Sequence, residues 1–172
     1  MNRITKKLFS AAVIVCLSIS SVAAYAAQIT PSSASITLGK NDKEISFDIY
    51  LETDSAYAGA EFGIKPSQSD VEFTSLILSD ELQNESKVQT IKDGCLYFGF
   101  FSNTNKYSTE KKKIATLNYT YSGSGTRTIA LVDSKIVTVD ETNKTSGDTS
   151  SSPFTVSITR QGTSGGGGGG SS

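Results

Sequence analysis

The stretch Lys92–Asn103, KDGCLYFGFFSN, decides the reading of the whole chain. Asp93-Gly94 is a two-residue hairpin signal, because Asp-Gly readily supplies the positive φ values that a tight primed turn requires. The strand leaving that turn should be apolar on one side and polar on the other, yet it is apolar on both. Leu96, Phe98 and Phe100 alternate with Cys95, Tyr97, Gly99 and Phe101, so one face carries three large hydrophobes and the other two aromatics flanking a glycine. One set belongs in a core, and the other needs a second explanation.

Strand patterns surround it. EISFDIYLE alternates Ile45, Phe47, Ile49 and Leu51 with Ser46, Asp48 and Tyr50, and AYAGAEFGIK alternates Ala58, Ala60, Phe62 and Ile64 with Gly59, Glu61 and Gly63. VEFTSLIL follows a turn containing Pro66. Further strands are predicted at Ala34–Leu38, Lys87–Lys92, Ile114–Tyr121, Thr126–Asp133, Lys135–Val139 and Phe154–Thr159, with a short helical turn at Asp80–Leu82. About nine short strands with polar turns and no long amphipathic helix predict an all-β fold, an antiparallel β-sandwich of jelly-roll topology.

The ends of the chain set three segments. Arg3, Lys6 and Lys7 precede an apolar run from Leu8 to Ala24 that closes in small residues, the pattern of a secretory signal peptide over residues 1–26. Residues 27–160 form the sandwich domain, and 161–172, rich in Gly and Ser, read as a flexible tail or linker. Loss of the leader removes three of the 16 basic residues, which leaves 13 against 17 acidic ones and a formal net charge of −4. That balance argues against nucleic acid as a partner. Cys16 leaves with the leader, so Cys95 remains alone and no internal disulfide is expected. Cys95 reads as a small hydrophobe on its strand.

Catalysis finds little to work with. The chain has no histidine, which excludes Ser-His-Asp and Cys-His mechanisms and the commonest zinc sites. Asp48, Glu52, Glu61, Asp70 and Glu72 lie on or beside strands and could in principle supply a carboxylate pair, but each reads as a solvated outer-face or turn residue. DETNKTSGD, Asp140–Asp148, lacks the alternating oxygen ligands of an EF-hand loop and reads as a solvated loop. Glu110–Lys113 reads as a charged strand entry that discourages edge pairing. Ser122–Gly125, SGSG, is a turn without the lysine and helix of a phosphate-binding loop. No catalytic residue, metal site or cofactor is expected, and the protein is read as a non-enzyme.

The order of these segments resembles the cohesin family, exported modules that bind dockerin domains, and more broadly the superfamily shared with cellulose-binding modules. The resemblance runs over Ile29–Ile158 and rests on strand order, with Gly59–Ile64 and IATLNY (Ile114–Tyr119) standing where cohesins carry their own local signatures. The chain departs from the family at KPSQSDVEF, which lacks the usual aromatic and aspartate before the proline. The resemblance implies a monomeric binding module, secreted or at the cell surface, in a polysaccharide-degrading assembly. It implies that a dockerin-like module lies on one flat sheet, and it places the partner-binding residues at Gly59, Glu61, Gly63, Tyr97, Gly99 and Phe101. Glycines there would leave room for a partner's backbone, and exposed aromatics are favoured anchors. The alternative is that Tyr97 and Phe101 are covered by the loop beginning at Ser102 or by the chain ends. Carbohydrate binding is the second reading, with Tyr50, Tyr119 and Tyr121 able to stack on a glycan, and a structural surface-layer or adhesion domain is the third.

Overall fold

The computed structural model describes residues 27–106, 111–139, 142 and 145–161. The leader read over residues 1–26 and the tail from Gly162 lie outside the described residues. No described helix is long and apolar enough to cross a membrane.

Among the described residues eleven strands make two sheets. They are β1 (Gln28–Pro31), β2 (Ser35–Leu38), β3 (Glu44–Glu52), β4 (Ala56–Pro66), β5 (Val71–Leu78), β6 (Ser86–Lys92), β7 (Cys95–Lys106), β8 (Lys112–Tyr121), β9 (Thr126–Val139), β10 (Thr145–Thr149) and β11 (Thr155–Arg160). A four-stranded sheet runs β1-β3-β8-β5, and a seven-stranded sheet runs β2-β11-β9-β4-β7-β6 with β10 beside β9. The predicted jelly-roll sandwich is therefore present, and a 3-10 turn falls at Asp80–Leu82 as the sequence suggested.

The core is the apolar phase of these alternations. Ile45, Phe47, Ile49 and Leu51 from β3 and Ala115, Leu117, Tyr119 and Tyr121 from β8 face Phe62, Ile64, Leu96, Phe98 and Phe100 of the other sheet, all buried. Aromatic contacts join them: Phe62 lies 5.3 Å from Phe98, and Tyr119 stacks on Phe47 at 6.1 Å while meeting Phe73 edge-on at 5.6 Å. Offset and edge-on pairs of this kind add about 0.5–1.5 kcal/mol beyond area burial.

Four details depart from the sequence reading. The count is eleven rather than about nine, since β1 is only four residues long and Thr145–Thr149, read as loop, pairs with β9. The sandwich is not wholly antiparallel, because β2 and β11 pair in parallel. These strands lie far apart in sequence, so no tight hairpin dictates their direction. The two strands expected at Thr126–Asp133 and Lys135–Val139 are one, β9, interrupted by a bulge. Gly63 pairs with Asp133 and Ile64 with Leu131, leaving Val132 as the extra residue. Val132 and Asp133 consequently both face solvent, and the buried phase shifts from Ile129 and Leu131 to Ser134 and Ile136. Finally, Tyr119 and Tyr121 are 1% and 0% exposed. They sit in the same phase as Ala115 and Leu117, while the polar Thr116, Asn118 and Thr120 take the opposite phase, so neither tyrosine is available to a glycan.

One end of the sandwich is closed by charge. Asp70 accepts from Arg127 Nε through both carboxylate oxygens, each at 2.9 Å, and from Nη2 at 2.7 Å. Both the Arg127 and Arg160 guanidinium groups lie over the Tyr121 ring, at 5.8 and 4.7 Å, and the Tyr121 hydroxyl donates to the Gly125 carbonyl. Gly123 has to be glycine, since a Cβ there would come within 2.0 Å of Asp70 Oδ2. The hydrogen bonds from Arg127 hold the Asp70 carboxyl below its ordinary 3.8. A carboxyl more acidic in the folded than in the unfolded chain adds stability that is fully present above the unfolded value and is lost as pH falls through the folded one. Asp70→Asn is thus expected to lower Tm at neutral pH, with the gap to wild type closing as pH falls below the ordinary carboxylate range. Melting curves across that range check it, and a gap independent of pH would contradict it.

Candidate functional site

The hairpin at Asp93-Gly94 builds the site. Asp93 and Gly94 have φ of 53° and 73°, the left-handed pair of a primed turn. A two-residue turn fixes the register, so Lys92 pairs with Cys95, Thr90 with Tyr97, Val88 with Gly99 and Ser86 with Phe101. On the other side of β7, Gly63 pairs with Tyr97, Glu61 with Gly99 and Gly59 with Phe101. All six residues singled out in the sequence therefore come together on the outer face of the seven-stranded sheet. Leu96, Phe98 and Phe100 point into the core at 1%, 2% and 0% exposure, whereas Tyr97 and Phe101 are 40% and 48% exposed.

The glycines do not present bare backbone. A Cβ on Gly63 would lie 3.1 Å from Tyr97 Cε1 and one on Gly99 would lie 3.0 Å from Glu61 Cγ. One on Gly59 would lie 3.1 Å from Phe101 Cδ1 and 2.5 Å from the Phe100 carbonyl oxygen. Each glycine is buried beneath a cross-strand neighbour, so the missing side chains serve to let two rings and one carboxylate stem lie flat on the sheet, a known way of stabilising glycine within strands. The expectation that a partner's backbone would approach the glycines directly gives way to a face of rings and a carboxylate.

Two further residues join this face. Val88, 63% exposed, stands opposite Gly99, and Val132, 53% exposed, approaches Gly63 through the bulge. Val88 could have been found by counting back from the turn; Val132 could not, because only the bulge turns it outward. Ile91 is 57% exposed but pairs with Leu96, so it belongs to the opposite face, where β6 overhangs the sandwich as an edge. A depression of about 210 Å³ opens between Val88, Tyr97, Asp133 and Lys135, with Gly63 and Gly99 also in its lining. The Tyr97 hydroxyl is pushed up by a hydrogen bond with Cys95 and, to a lesser degree, by the negative charge of Asp133 and Asp93. Cys95 itself is buried.

The outer face of the four-stranded sheet differs in chemistry. Asp48 accepts from Thr116 at 2.6 Å and pairs with Lys113 at 3.6 Å, and Asn118 donates to Ser75. Ile77 is the one large exposed hydrophobe on that sheet among the described residues. Asp48 and Asp70, offered by the sequence as possible catalytic carboxylates, are thus engaged in structural pairs at different places. Among the described residues no three His, Cys, Asp or Glu side chains group as a metal site would require.

The two sheets form a jelly roll with an apolar patch on one outer face. Comparison with solved structures identifies it: the chain has the cohesin fold. It superposes on the seventh ScaB type I cohesin of Pseudobacteroides cellulosolvens with a TM-score of 0.60 at 14% identity, covering 80% of this chain and 94% of that one. A type I cohesin–dockerin complex of Clostridium thermocellum gives a TM-score of 0.60 at 13% identity, with 79% and 99% covered. A non-cellulosomal cohesin of the archaeon Archaeoglobus fulgidus gives 0.58 at 10%, with 80% and 92% covered. No protein-family model and no curated protein sequence matches the chain. At these identities the likeness is one of fold.

Proposed function

We propose that the protein is an exported, non-catalytic docking module that holds a dockerin-like partner on the outer face formed by β6, β7, β4 and β9, within a cell-surface or polysaccharide-degrading assembly. The observation that carries this reading is the gathering of Val88, Tyr97, Phe101 and Val132 on one sheet face, against the single Ile77 on the other sheet. Contiguous apolar surface rimmed by charge marks interaction sites more often than chance, and aromatic residues dominate interface energetics. The leader read at residues 1–26 supports export. The cohesin fold supports the partner class, since the matched Clostridium thermocellum structure is itself a cohesin–dockerin complex. Burial of Tyr119 and Tyr121 leaves Tyr50 as the remaining one of three tyrosines that could have served a glycan.

The reading is tested by capturing exported proteins of the source organism on the immobilised protein, beside Tyr97→Ala and Phe101→Ala variants and an insoluble-cellulose control. Capture of a dockerin-bearing protein, weakened roughly thirtyfold or more in either variant, is the expected result, corresponding to a loss of about 2 kcal/mol per anchor. Retention on cellulose with no dockerin captured would replace protein docking with sugar binding.

A further inference from the structure

The depression on this face has a chemistry of its own. Gly63 and Gly99 add no side chain to its lining, to which the Val88 side chain and the Tyr97 ring contribute. At about 210 Å³ it lies below the roughly 300–1,000 Å³ of small-molecule pockets, so it suits one inserted side chain. Two carboxylates and the Lys135 side chain border it, and the carboxylates are not equivalent. Glu61 stands opposite Lys135 across the β4–β9 ladder, whereas Asp133 stands opposite Gly63, which has no side chain to offer it. Among the described residues Asp133 has no ion-pair partner, and its charge is felt at the Tyr97 hydroxyl.

A neutral apolar side chain seated here would strip water from Asp133 and give nothing back. An acidic one would be repelled. A cation with an apolar stem satisfies all three elements, because the stem lies along Val88, the charge meets the carboxylate and the ring face attracts it. A planar guanidinium does so better than an ammonium, since it can stack on the ring and pair with the carboxylate together. Resting on the docking reading above, we propose that the partner inserts one arginine side chain into this depression, its guanidinium held between the Tyr97 ring and the Asp133 carboxylate.

The test needs no natural partner. The ¹⁵N-labelled protein is titrated with N-acetyl-arginine methylamide, and in parallel with the lysine and norleucine methylamides, while amide shifts are followed. The arginine probe should give saturable shifts centred on Gly63, Tyr97, Gly99 and Asp133, with threefold or more tighter binding than norleucine. Asp133→Asn and Tyr97→Leu should each erase that preference. Equal binding of norleucine, an undiminished response in Asp133→Asn, shifts scattered over surface carboxylates, or no shift at all would each overturn the proposal. The dockerin capture experiment reads the docking surface independently, so a negative arginine titration beside a positive capture would discard the arginine seat alone.

Discussion

Phe98→Ala is expected to destabilise the fold by about 3–5 kcal/mol, while Tyr97→Ala, one residue away, costs about 1 kcal/mol or less. Phe98 is 2% exposed, with the Phe62 and Phe100 rings 5.3 and 6.3 Å away. Its removal opens a cavity that the surrounding strands, fixed by two ladders, cannot collapse to fill. Tyr97 gives up its packing over Gly63 and its interaction with Cys95, both on an exposed face. A domain of this size has about 5–15 kcal/mol in all, so Phe98→Ala should bring urea unfolding to far lower concentration, while Tyr97→Ala shifts it little. Similar losses from both variants would contradict the assignment of the two faces of β7, and with it the explanation of why this strand is apolar on both sides.

Arg160→Ala is expected to cost about 2–3 kcal/mol, a large effect for a side chain at the last residue of the last strand. The Arg160 guanidinium donates to the carbonyls of Gly123, Asp42 and Tyr121 at 2.9, 2.7 and 2.5 Å, besides covering the Tyr121 ring. Charge-assisted hydrogen bonds contribute about 1.5–3 kcal/mol each when shielded, and partial exposure of this end reduces the sum. The residue thereby ties β11 to the turn after β8 and to the turn before β3, reinforcing the backbone bonds from Arg160 N–H to the Gly125 carbonyl and from Tyr121 N–H to the Lys43 carbonyl. Arg160→Lys should recover less than half of the loss, because an ammonium cannot span three acceptors as a planar guanidinium does. Denaturant midpoints of the three proteins check this; a change within about 0.5 kcal/mol for Arg160→Ala would remove the tie from the account.

Where local chemistry dictated structure, the sequence was readable. The placement of Gly59, Glu61 and Gly63 beside Tyr97 and Phe101 came from the resemblance to cohesins, but Asp93-Gly94 set a turn and the turn set the β6–β7 register. The same counting reaches Val88. What could not be read came from tertiary choices that leave no period in the chain. The β9 bulge reverses the alternation at Val132, so one strand looked like two, and both Val132 and Asp133 entered the face unannounced. The pairing of β2 with β11 joins segments more than a hundred residues apart, and nothing local specifies its parallel direction. Tyr119 and Tyr121 are a different matter, because they share the phase of Ala115 and Leu117, and that period-two pattern marks them as buried rather than as a sugar platform. The glycines, too, were readable as positions without a side chain but not as positions roofed by neighbouring rings.

The central claim is that the outer face of the seven-stranded sheet is the docking surface, and calorimetric titration of the captured dockerin module tests it most directly. Three proteins are compared: wild type, the double variant Tyr97→Ala/Phe101→Ala, and Tyr50→Ala/Ile77→Ala on the other sheet. The account predicts that the first double variant loses at least thirtyfold in affinity while the second binds as wild type does. Equal loss in both, or a loss confined to the Tyr50/Ile77 variant, would contradict it.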